Sequence, residues 1–523
     1  MLDMVKYQKR KYIFLLLAFL ATGFILRLNN LSGRSLWTDE FFTIFESSGH
    51  GVDIKNLLDH LSHKEPPALL KASEFKTFLK FDSHKSIKDV TNSLFNTDTH
   101  PPLYFWVMYF WRKLFGDGVF GLRFFSVLMG VFSIFLAYKV AQYLFNQDAA
   151  KFCALFVSIC AFSVRYSQEA RAYSLIMVLG LLTWLFILRM ENYNKNLDAF
   201  CFALFNSLGF YTHYFYIFIS VAQFAYLTVA HRQDSAKLRK FYLAFLWSVL
   251  FFSPWFIPLI LKGYNFYLAD WIFGYPGLIN KIYYLFSGIT RCVLISDTSA
   301  MPLSLFLYIG LLLFIYLSLH AIKDMLTRYP EALLFCLIMF LVPLLGMFLI
   351  DILQHGALLR QERFWIFPFL GFIPLAGYTL YYSFTKKRPV MCVVVLLMLV
   401  SCLGVSKMQF GPAPKYASIW INQESSGRPS AVIVYNIRTV VFAQAYYLDD
   451  DIYLIPVSNH RQLNSAIKSA ADYADKIFIA RHYHRSDASL MDKPFLEIDD
   501  IDSGFKFKTT IYKDDISVSE YVK

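Results

Sequence analysis

Long apolar segments recur along the first 400 residues and alternate with short polar stretches. Eleven of them approach or exceed the roughly 20 residues with which an α-helix crosses a bilayer. They are residues 12–28, 118–145, 149–164, 172–189, 197–211, 213–230, 240–261, 302–321, 331–350, 364–384 and 389–406. The pattern predicts an α-helical polytopic membrane protein with about 11 transmembrane helices.

Basic residues in alternate connections predict the orientation, because lysine and arginine gather in cytoplasmic loops. These residues are Lys139, Lys151, Arg189, Lys195 and those of 231–240, 323–329 and 385–388. With the N-terminus in the cytoplasm, all of them lie inside. The first segment lacks a signal-peptide cleavage pattern, so we interpret it as a retained helix. The long loop 29–117 and everything after residue 406 then face outward.

Two further patterns define the domains. Within the outer loop 29–117, apolar residues at helical spacing in "IKNLLDHLSHK" and "ALLKASEFKTFLKF" predict amphipathic helices on the membrane surface. From about residue 411, strand patterns ("AVIVYN", "IYLIPV", "KIFIAR") alternate with helix patterns. We therefore predict a transmembrane domain, 1–410, and a soluble extracytoplasmic α/β domain with a parallel sheet, 411–523.

Composition agrees with a membrane protein. The 523 residues are 57% hydrophobic and only 17% charged, below the roughly 25% of soluble domains. The cytoplasmic loops account for the formal charge of +12, so no nucleic-acid partner is predicted. Six of the seven cysteines lie in apolar segments and none follows residue 402, which favours neither a disulfide framework nor a cysteine zinc site.

An acidic pair, Asp39 and Glu40, follows the first apolar segment in "RSLWTDEFFTIF". Two interpretations stay open. Thr38 or Asp39 is suited to cap the next helix, whose positive dipole end also favours acids. Alternatively, the pair supplies a catalytic carboxylate at the membrane boundary.

Four more polar clusters interrupt the apolar chain on the predicted outer face: "THPPLYFW" (99–106), "RYSQEARAYS" (165–174), "YTHYFY" (211–216) and "RQERFW" (360–365). Arg123 begins an apolar segment, where an unpaired charge costs a few kcal/mol, so we expect an ion pair with Glu40 or Asp39. Outward arginines depart from the positive-inside trend and suit a phosphate. Lipid headgroups or a dedicated polyprenyl phosphate would satisfy them.

In order and topology, these motifs resemble the GT-C class of membrane glycosyltransferases over roughly residues 10–410. The motifs are "DE" (39–40), "HPPLYFW" (100–106), "LRFFS" (122–126), "SQEARAYS" (167–174), "YTHY" (211–214) and "ERFW" (362–365). More narrowly, they are similar to bacterial relatives of protein O-mannosyltransferases, of the glycosyltransferase family 39 type, and to the lipid A aminoarabinose transferase. Where the latter typically has Glu-Lys before the double proline, this chain has Thr99 and His100.

The resemblance implies an inverting transfer of a hexosyl or pentosyl group from a polyprenyl-phosphate donor to an acceptor hydroxyl. Asp39 would then be the base, with Glu40 beside it. Phosphate ligands would be Arg171, Arg363 and Arg165, and the cavity and its support would comprise Arg123, His100, Tyr173, His213 and Glu362.

The implied partners are the lipid-linked sugar, an acceptor protein, lipid or glycan, and membrane lipids, at a bacterial cytoplasmic membrane. No cofactor is identified, and a divalent metal stays open. The alternative function is a multi-pass lipid or glycan transporter or flippase. A transporter would usually carry its charges near mid-membrane and show related halves, whereas these charges gather at one face.

Overall fold

The structure is a computed structural model. It describes residues 2–63, 67–98, 100–263, 276–295, 301–405, 407–408, 414–435, 439–457, 460–482, 505–513 and 516–523. The predicted domain boundary at 410–411 and Thr99 lie outside these residues.

The described residues form 21 α-helices and six strands. The helices are α1 (Leu2–Leu28), α2 (Thr38–Ser48), α3 (Gly51–His63), α4 (Ala72–Thr77), α5 (Ile87–Thr97), α6 (Leu103–Phe115), α7 (Val119–Leu144), α8 (Gln147–Ile159), α9 (Ala161–Tyr166), α10 (Tyr173–Tyr193), α11 (Asn196–Thr212), α12 (Tyr216–Ala230), α13 (Ser235–Leu261), α14 (Leu278–Arg291), α15 (Met301–Arg328), α16 (Pro330–Leu353), α17 (Ile366–Lys386), α18 (Arg388–Val405), α19 (Lys415–Ser425), α20 (Thr439–Tyr447) and α21 (His460–Ala471). The strands are β1 (Leu70–Lys71), β2 (Ser430–Tyr435), β3 (Tyr453–Val457), β4 (Lys476–His482), β5 (Lys506–Lys513) and β6 (Ile516–Val522).

The chain divides into two compact units. The helical unit comprises Met1–Leu31, His100–Tyr104 and Arg123–Met408, and the sheet unit comprises Ser32–Thr99, Phe105–Leu122 and Gln409–Lys523. The sequence pattern had assigned the long loop 29–117 to the transmembrane domain. In the structure, most of that loop belongs to the same unit as the C-terminal sheet.

Eight helices among the described residues are long and apolar enough to cross a membrane. They are Arg10–Leu28, Val119–Leu144, Tyr173–Tyr193, Ser235–Leu261, Leu305–Arg328, Pro330–Leu353, Glu362–Lys386 and Arg388–Val405. The other three predicted segments are also helical but shorter: α11, α12 and the pair α8–α9. The α-helical polytopic fold is thus confirmed.

The prediction of one continuous helix over 149–164 is wrong, because the backbone at Cys160 is extended (φ −69°, ψ 120°) and separates α8 from α9.

The core of the helical unit is apolar. It centres on α17, whose residues between Ile366 and Leu380 are nearly all buried, and which packs against α8, α15 and α16. Such a helix, hydrophobic all round, is expected inside a bundle.

In the sheet unit, the six strands lie in the order β1-β3-β2-β4-β6-β5. The three strands that the sequence predicts, β2, β3 and β4, pair in parallel. The predicted parallel pairing therefore holds for these three strands, but the sheet as a whole is mixed, since β1, β5 and β6 pair antiparallel with their neighbours. Strand β1 occupies part of the segment predicted to be an amphipathic helix, and only α4 of that segment is helical.

The loop helices pack on the C-terminal part of the sheet unit through aromatic side chains. The Phe442 ring of α20 lies 5.4 Å from the rings of both Phe45 and Phe75, measured between centroids. Tyr447 accepts a hydrogen bond from the backbone N–H of Leu36 at 2.8 Å. The apolar faces of α2 and α4 are therefore buried against α20 rather than left exposed.

Candidate active site

The turn between α9 and α10 carries part of the "SQEARAYS" motif. Arg171 lies in this turn with 6% of its surface exposed, and its terminal nitrogen lies 3.1 Å from Nε2 of His100. The hydroxyl of Ser126, on α7, donates to the backbone oxygen of Arg171 at 3.3 Å. Two predicted site residues from different motifs therefore come into contact.

His213 follows the last residue of α11 and lies beside the same group. Its Nδ1 accepts a hydrogen bond from the backbone N–H of Phe215 at 3.1 Å, so Nε2 carries the proton of the neutral ring. The ring centroids of His213 and His100 are 6.3 Å apart. Burial, and then electrostatic interaction with His100, Arg171 and Arg363, lower the pKa of this histidine well below its ordinary value. At neutral pH the ring is uncharged.

Glu362 links two arginines. Its carboxylate forms ion pairs with Arg165 and with Arg291, the latter at 2.7 Å between Nη1 and Oε1. Glu169 is also near, with its Oε1 3.6 Å from Nε of Arg165. Arg165, predicted as a phosphate ligand, thus has a carboxylate partner in the structure. Arg291, at the end of α14, was not among the predicted residues.

The segment that carries Arg363 is fixed by a buried carboxylate. Oδ1 and Oδ2 of Asp351, at the end of α16, accept the backbone N–H groups of Leu358 and Leu359 at 2.6 and 3.0 Å. The indole of Trp365 donates to the backbone oxygen of Leu359 at 3.0 Å. These bonds shape two short 3-10 turns, Leu358–Arg360 and Glu362–Trp365, ahead of α17.

Aromatic rings line the same region. Tyr173 is buried, and its ring centroid lies 5.0 Å from that of Tyr166. The guanidinium of Arg165 lies 5.0 Å from the Tyr166 ring, as in a cation–π contact. The predicted cavity residue Tyr173 therefore belongs to an aromatic surface beside the arginines.

The acidic pair lies in the sheet unit, in the first turn of α2. Glu40 is fully buried, and its Oε2 accepts the backbone N–H of Trp37 at 3.2 Å. The helix does begin here, at Thr38, but the prediction that Thr38 or Asp39 caps it is wrong: Trp37 is the N-terminal cap residue, and Glu40 makes the capping bond to its backbone N–H. Asp39 is partly exposed, and its role as a base stays a prediction.

Arg123 is 2% exposed, and its Nη1 donates to the backbone oxygen of Leu31 at 2.7 Å. This hydrogen bond offsets part of the free-energy cost of burying the charged guanidinium. The predicted ion pair with Glu40 or Asp39 stays a prediction.

Across the part of the chain that the structure describes, no group of three or more His, Cys, Asp or Glu side chains is placed to bind a metal ion. Arg171 offers a positive charge and planar N–H donors beside His100 and His213, which suits an anion. We therefore derive no chemical step through a metal.

Comparisons with known proteins bear on this arrangement. The family model for dolichyl-phosphate-mannose-protein mannosyltransferase matches residues 99–257, which include His100, Arg171 and His213. No curated protein sequence matches the chain. Among solved structures, ArnT from Cupriavidus metallidurans in the apo state has a TM-score of 0.56 at 14% identity, covering 96% of this chain and 97% of ArnT.

The same ArnT bound to undecaprenyl phosphate has a TM-score of 0.56 at 13% identity, with 96% and 97% coverage. The archaeal oligosaccharyltransferase AglB from Archaeoglobus fulgidus, in complex with an inhibitory peptide and a dolichol-phosphate, has a TM-score of 0.50 at 12% identity. It covers 90% of this chain and 70% of AglB. These similarities show a shared fold.

The chain has the fold of ArnT and AglB, and its residues 99–257 match the mannosyltransferase family model.

The family match over residues 99–257 indicates the enzyme class rather than the transporter alternative. Within the helical unit, His100, Arg171 and His213 form one group, while Arg165 and Glu362 form an adjacent ion-pair group with Arg291. A signal for Arg291 was available, since it lies in the connection 262–301, which the loop charges predict to face outward, and it meets the criterion that selected the other predicted outward arginines.

Proposed function

We propose that this protein is a glycosyltransferase that moves a sugar from a polyprenyl-phosphate donor to an acceptor hydroxyl at the outer face of the bacterial cytoplasmic membrane, with inversion at the anomeric carbon. The observation that carries the proposal is the buried Arg171 beside His100 and the neutral His213. Arginine offers a planar set of donors that matches a phosphate. All three residues lie in the segment matched by the mannosyltransferase family.

In the proposed reaction, the acceptor oxygen forms a bond to the anomeric carbon as the bond from that carbon to the phosphate oxygen breaks. Asp39 accepts the hydroxyl proton, because a neutral hydroxyl is a weak nucleophile at pH 7. The electron pair leaves with the lipid phosphate, which changes from a diester to a monoester and gains negative charge. Arg171 and Arg363 stabilise that charge, so no acid is needed for the leaving group.

The comparisons support a lipid-phosphate donor in general terms. One matched ArnT structure contains undecaprenyl phosphate, and the matched AglB structure contains a dolichol-phosphate and a peptide. For this chain we propose the same class of donor, with a protein, lipid or glycan as acceptor.

We also propose that the N-terminus is cytoplasmic and that the sheet unit, which contains Asp39, is extracytoplasmic. Loop charges support this orientation. A reporter active only outside the cytoplasm should be active when fused after Lys523 and inactive when inserted within 231–240. If the C-terminal fusion is inactive, and therefore cytoplasmic, the proposed base Asp39 would act on the cytoplasmic side instead.

The function is tested by deleting the gene and measuring polyprenyl-phosphate sugars, glycans and glycoproteins by mass spectrometry. Loss of one glycan modification with accumulation of one lipid-phosphate sugar would support the proposal and identify donor and acceptor. The purified protein should then complete that transfer in vitro. An unchanged glycan profile, together with no transfer from any accumulated lipid, would contradict it.

A further inference from the structure

One buried arginine lies apart from the proposed phosphate group. Arg27, near the end of α1, is 0% exposed inside a candidate membrane-crossing helix. Its guanidinium makes five hydrogen bonds to neutral acceptors. These are the Ser167 hydroxyl (3.1 Å), the Gly23 carbonyl (3.0 Å), the Ser158 carbonyl (3.2 Å), the Val157 carbonyl (3.0 Å) and the Ser163 hydroxyl (2.8 Å).

The position of these acceptors explains how the charge is tolerated. Val157 and Ser158 belong to the last turn of α8, where carbonyls lack a helical N–H partner because the helix stops at Ile159. A cation at this end also complements the negative end of the helix dipole. Ser163 belongs to α9 on the other side of the break. Arg27 thus bridges the two helices at the point where the backbone changes direction.

The turn after α9 is hydrogen-bonded to the C-terminal end of α1. The side-chain amide of Gln168 donates to the backbone oxygens of Leu26, Arg27 and Asn29 at 3.3, 3.0 and 2.9 Å. These carbonyl groups lie at or just after the C-terminal end of α1, where no N–H group of the helix is available to donate to them. Two elements far apart in sequence therefore cap each other, and Gln168 lies three residues before Arg171.

From this geometry we infer that Arg27 is a positioning residue for the donor site. It fixes the break between α8 and α9 and, through Ser167 and Gln168, the turn that presents Arg165 and Arg171. The inference rests on the proposed function, in which this turn binds the lipid phosphate. Arg27 itself touches neither substrate nor reacting atoms.

Gly130 of α7 provides a way to disturb the turn without removing a polar group. A Cβ atom there would overlap the Ser167 side chain and lie 2.8 Å from Nε of Arg27. In Gly130→Ala, all donors and acceptors are kept but the Arg27–Ser167 contact is displaced. Gly404→Ala is the matched control, because a Cβ on Gly404, also in a helix of this unit, would meet no heavy atom within 4 Å.

The experiment compares full-length wild type, Gly130→Ala, Gly404→Ala, Arg27→Lys and Arg171→Lys in detergent. Two quantities are measured for each protein. The first is its affinity for undecaprenyl phosphate, and the second is the rate of backbone amide hydrogen exchange over residues 157–172 in the absence of the lipid. Gly130→Ala should exchange faster over 157–172 and bind the lipid about tenfold or more weakly, since small misplacements of binding groups are costly. Gly404→Ala should match wild type. Arg27→Lys should fold but bind weakly, because one ammonium cannot reach five acceptors.

Normal lipid affinity in both Gly130→Ala and Arg27→Lys would overturn the inference, whether or not exchange changes. If Arg171→Lys still loses the lipid in that case, only the positioning role of Arg27 is wrong. If Arg171→Lys also binds normally, the proposed function itself fails. Loss of thermal stability without loss of lipid affinity would assign Arg27 a purely structural role.

Discussion

Both units of this protein contain buried arginines, and Arg112 and Arg27 show two different ways of satisfying them. In the sheet unit, Arg112 is 1% exposed and pairs with the carboxylate of Asp117, 2.6 Å from its Nη2. It also donates to the carbonyls of Ile44 and Leu79, at 2.6 and 2.8 Å. In the helical unit, all five partners of Arg27 are neutral.

The same difference extends to the other charges. In the sheet unit, Lys476 lies 3.0 Å from the buried carboxylate of Glu520. In the helical unit, segments 165–171, 291 and 360–363 carry five arginines and two glutamates, and Arg171 faces a histidine. Arg112 and Lys476 of the sheet unit thus have local carboxylate partners, whereas these segments of the helical unit carry more arginines than glutamates, an excess of positive charge that suits an anionic ligand.

The largest effect is expected for Asp39→Asn in the sheet unit. Asparagine keeps the size of the side chain but cannot accept a proton at pH 7, so sugar transfer should fall by about 10²-fold or more. Folding should persist, because Asp39 is partly exposed and the capping bond of α2 is made by Glu40. Transfer by purified protein that still binds the donor lipid is the measurement. Near-normal turnover would show that Asp39 is not the base.

A smaller effect, on stability alone, is expected for Asp117→Asn. It leaves the buried Arg112 without its carboxylate, and an unsatisfied buried donor costs about 1–3 kcal/mol. The melting temperature in detergent should fall, while undecaprenyl phosphate binding should stay at the wild-type level. Weaker lipid binding at normal stability would show that the division of roles between the two units is wrong.

The smallest effect on activity is expected for Glu46→Gln, and its effect on stability has the opposite sign to that of Asp117→Asn. Burial and the nearby Asp98 raise the pKa of Glu46 from 4.5 to about 8, although Ser93 and Thr97 donate hydrogen bonds to it. The folded protein therefore holds a proton that the unfolded chain releases, and its stability falls as pH rises from about 4.5 to 8.

Glu46→Gln removes this titration. Its melting temperature should exceed that of wild type most clearly above pH 8, and the two should converge near pH 4.5. Asp472→Asn, at an exposed carboxylate of the same unit, should keep the wild-type pH dependence. A Glu46→Gln curve parallel to that of wild type would contradict the buried, protonated state of Glu46.

Much of the fold could be predicted because it depends on local patterns. Every predicted apolar segment is helical, and β2, β3 and β4 lie within one or two residues of their predicted positions. Strands β5 and β6 were missed. In β6, apolar Ile516 and Val518 alternate with Ser517 and Ser519, a period-2 signal that was available.

The break at Cys160 had no such signal, because it depends on Arg27, which lies 131 residues from Ser158. Likewise, the hydrophobic pattern could place Arg165 and Glu362 on the same predicted side of the membrane. It could not show that their side chains form an ion pair in the folded protein. The motifs named His100, Arg171 and His213 as candidate site residues, and only tertiary packing shows that these three lie together.

The central claim is that Arg171 and Arg363 bind a lipid phosphate, and charge-conserving variants test it most directly. Arg171→Lys and Arg363→Lys keep the charge but lose the planar donor geometry. Arg189→Lys is the control, since Arg189 forms an ion pair with Asp198 at 2.7 Å that lysine can replace. Undecaprenyl phosphate binding should fall about tenfold or more for the first two variants and stay unchanged for the third. Equal affinity in all three would contradict the account and make these arginines general lipid contacts.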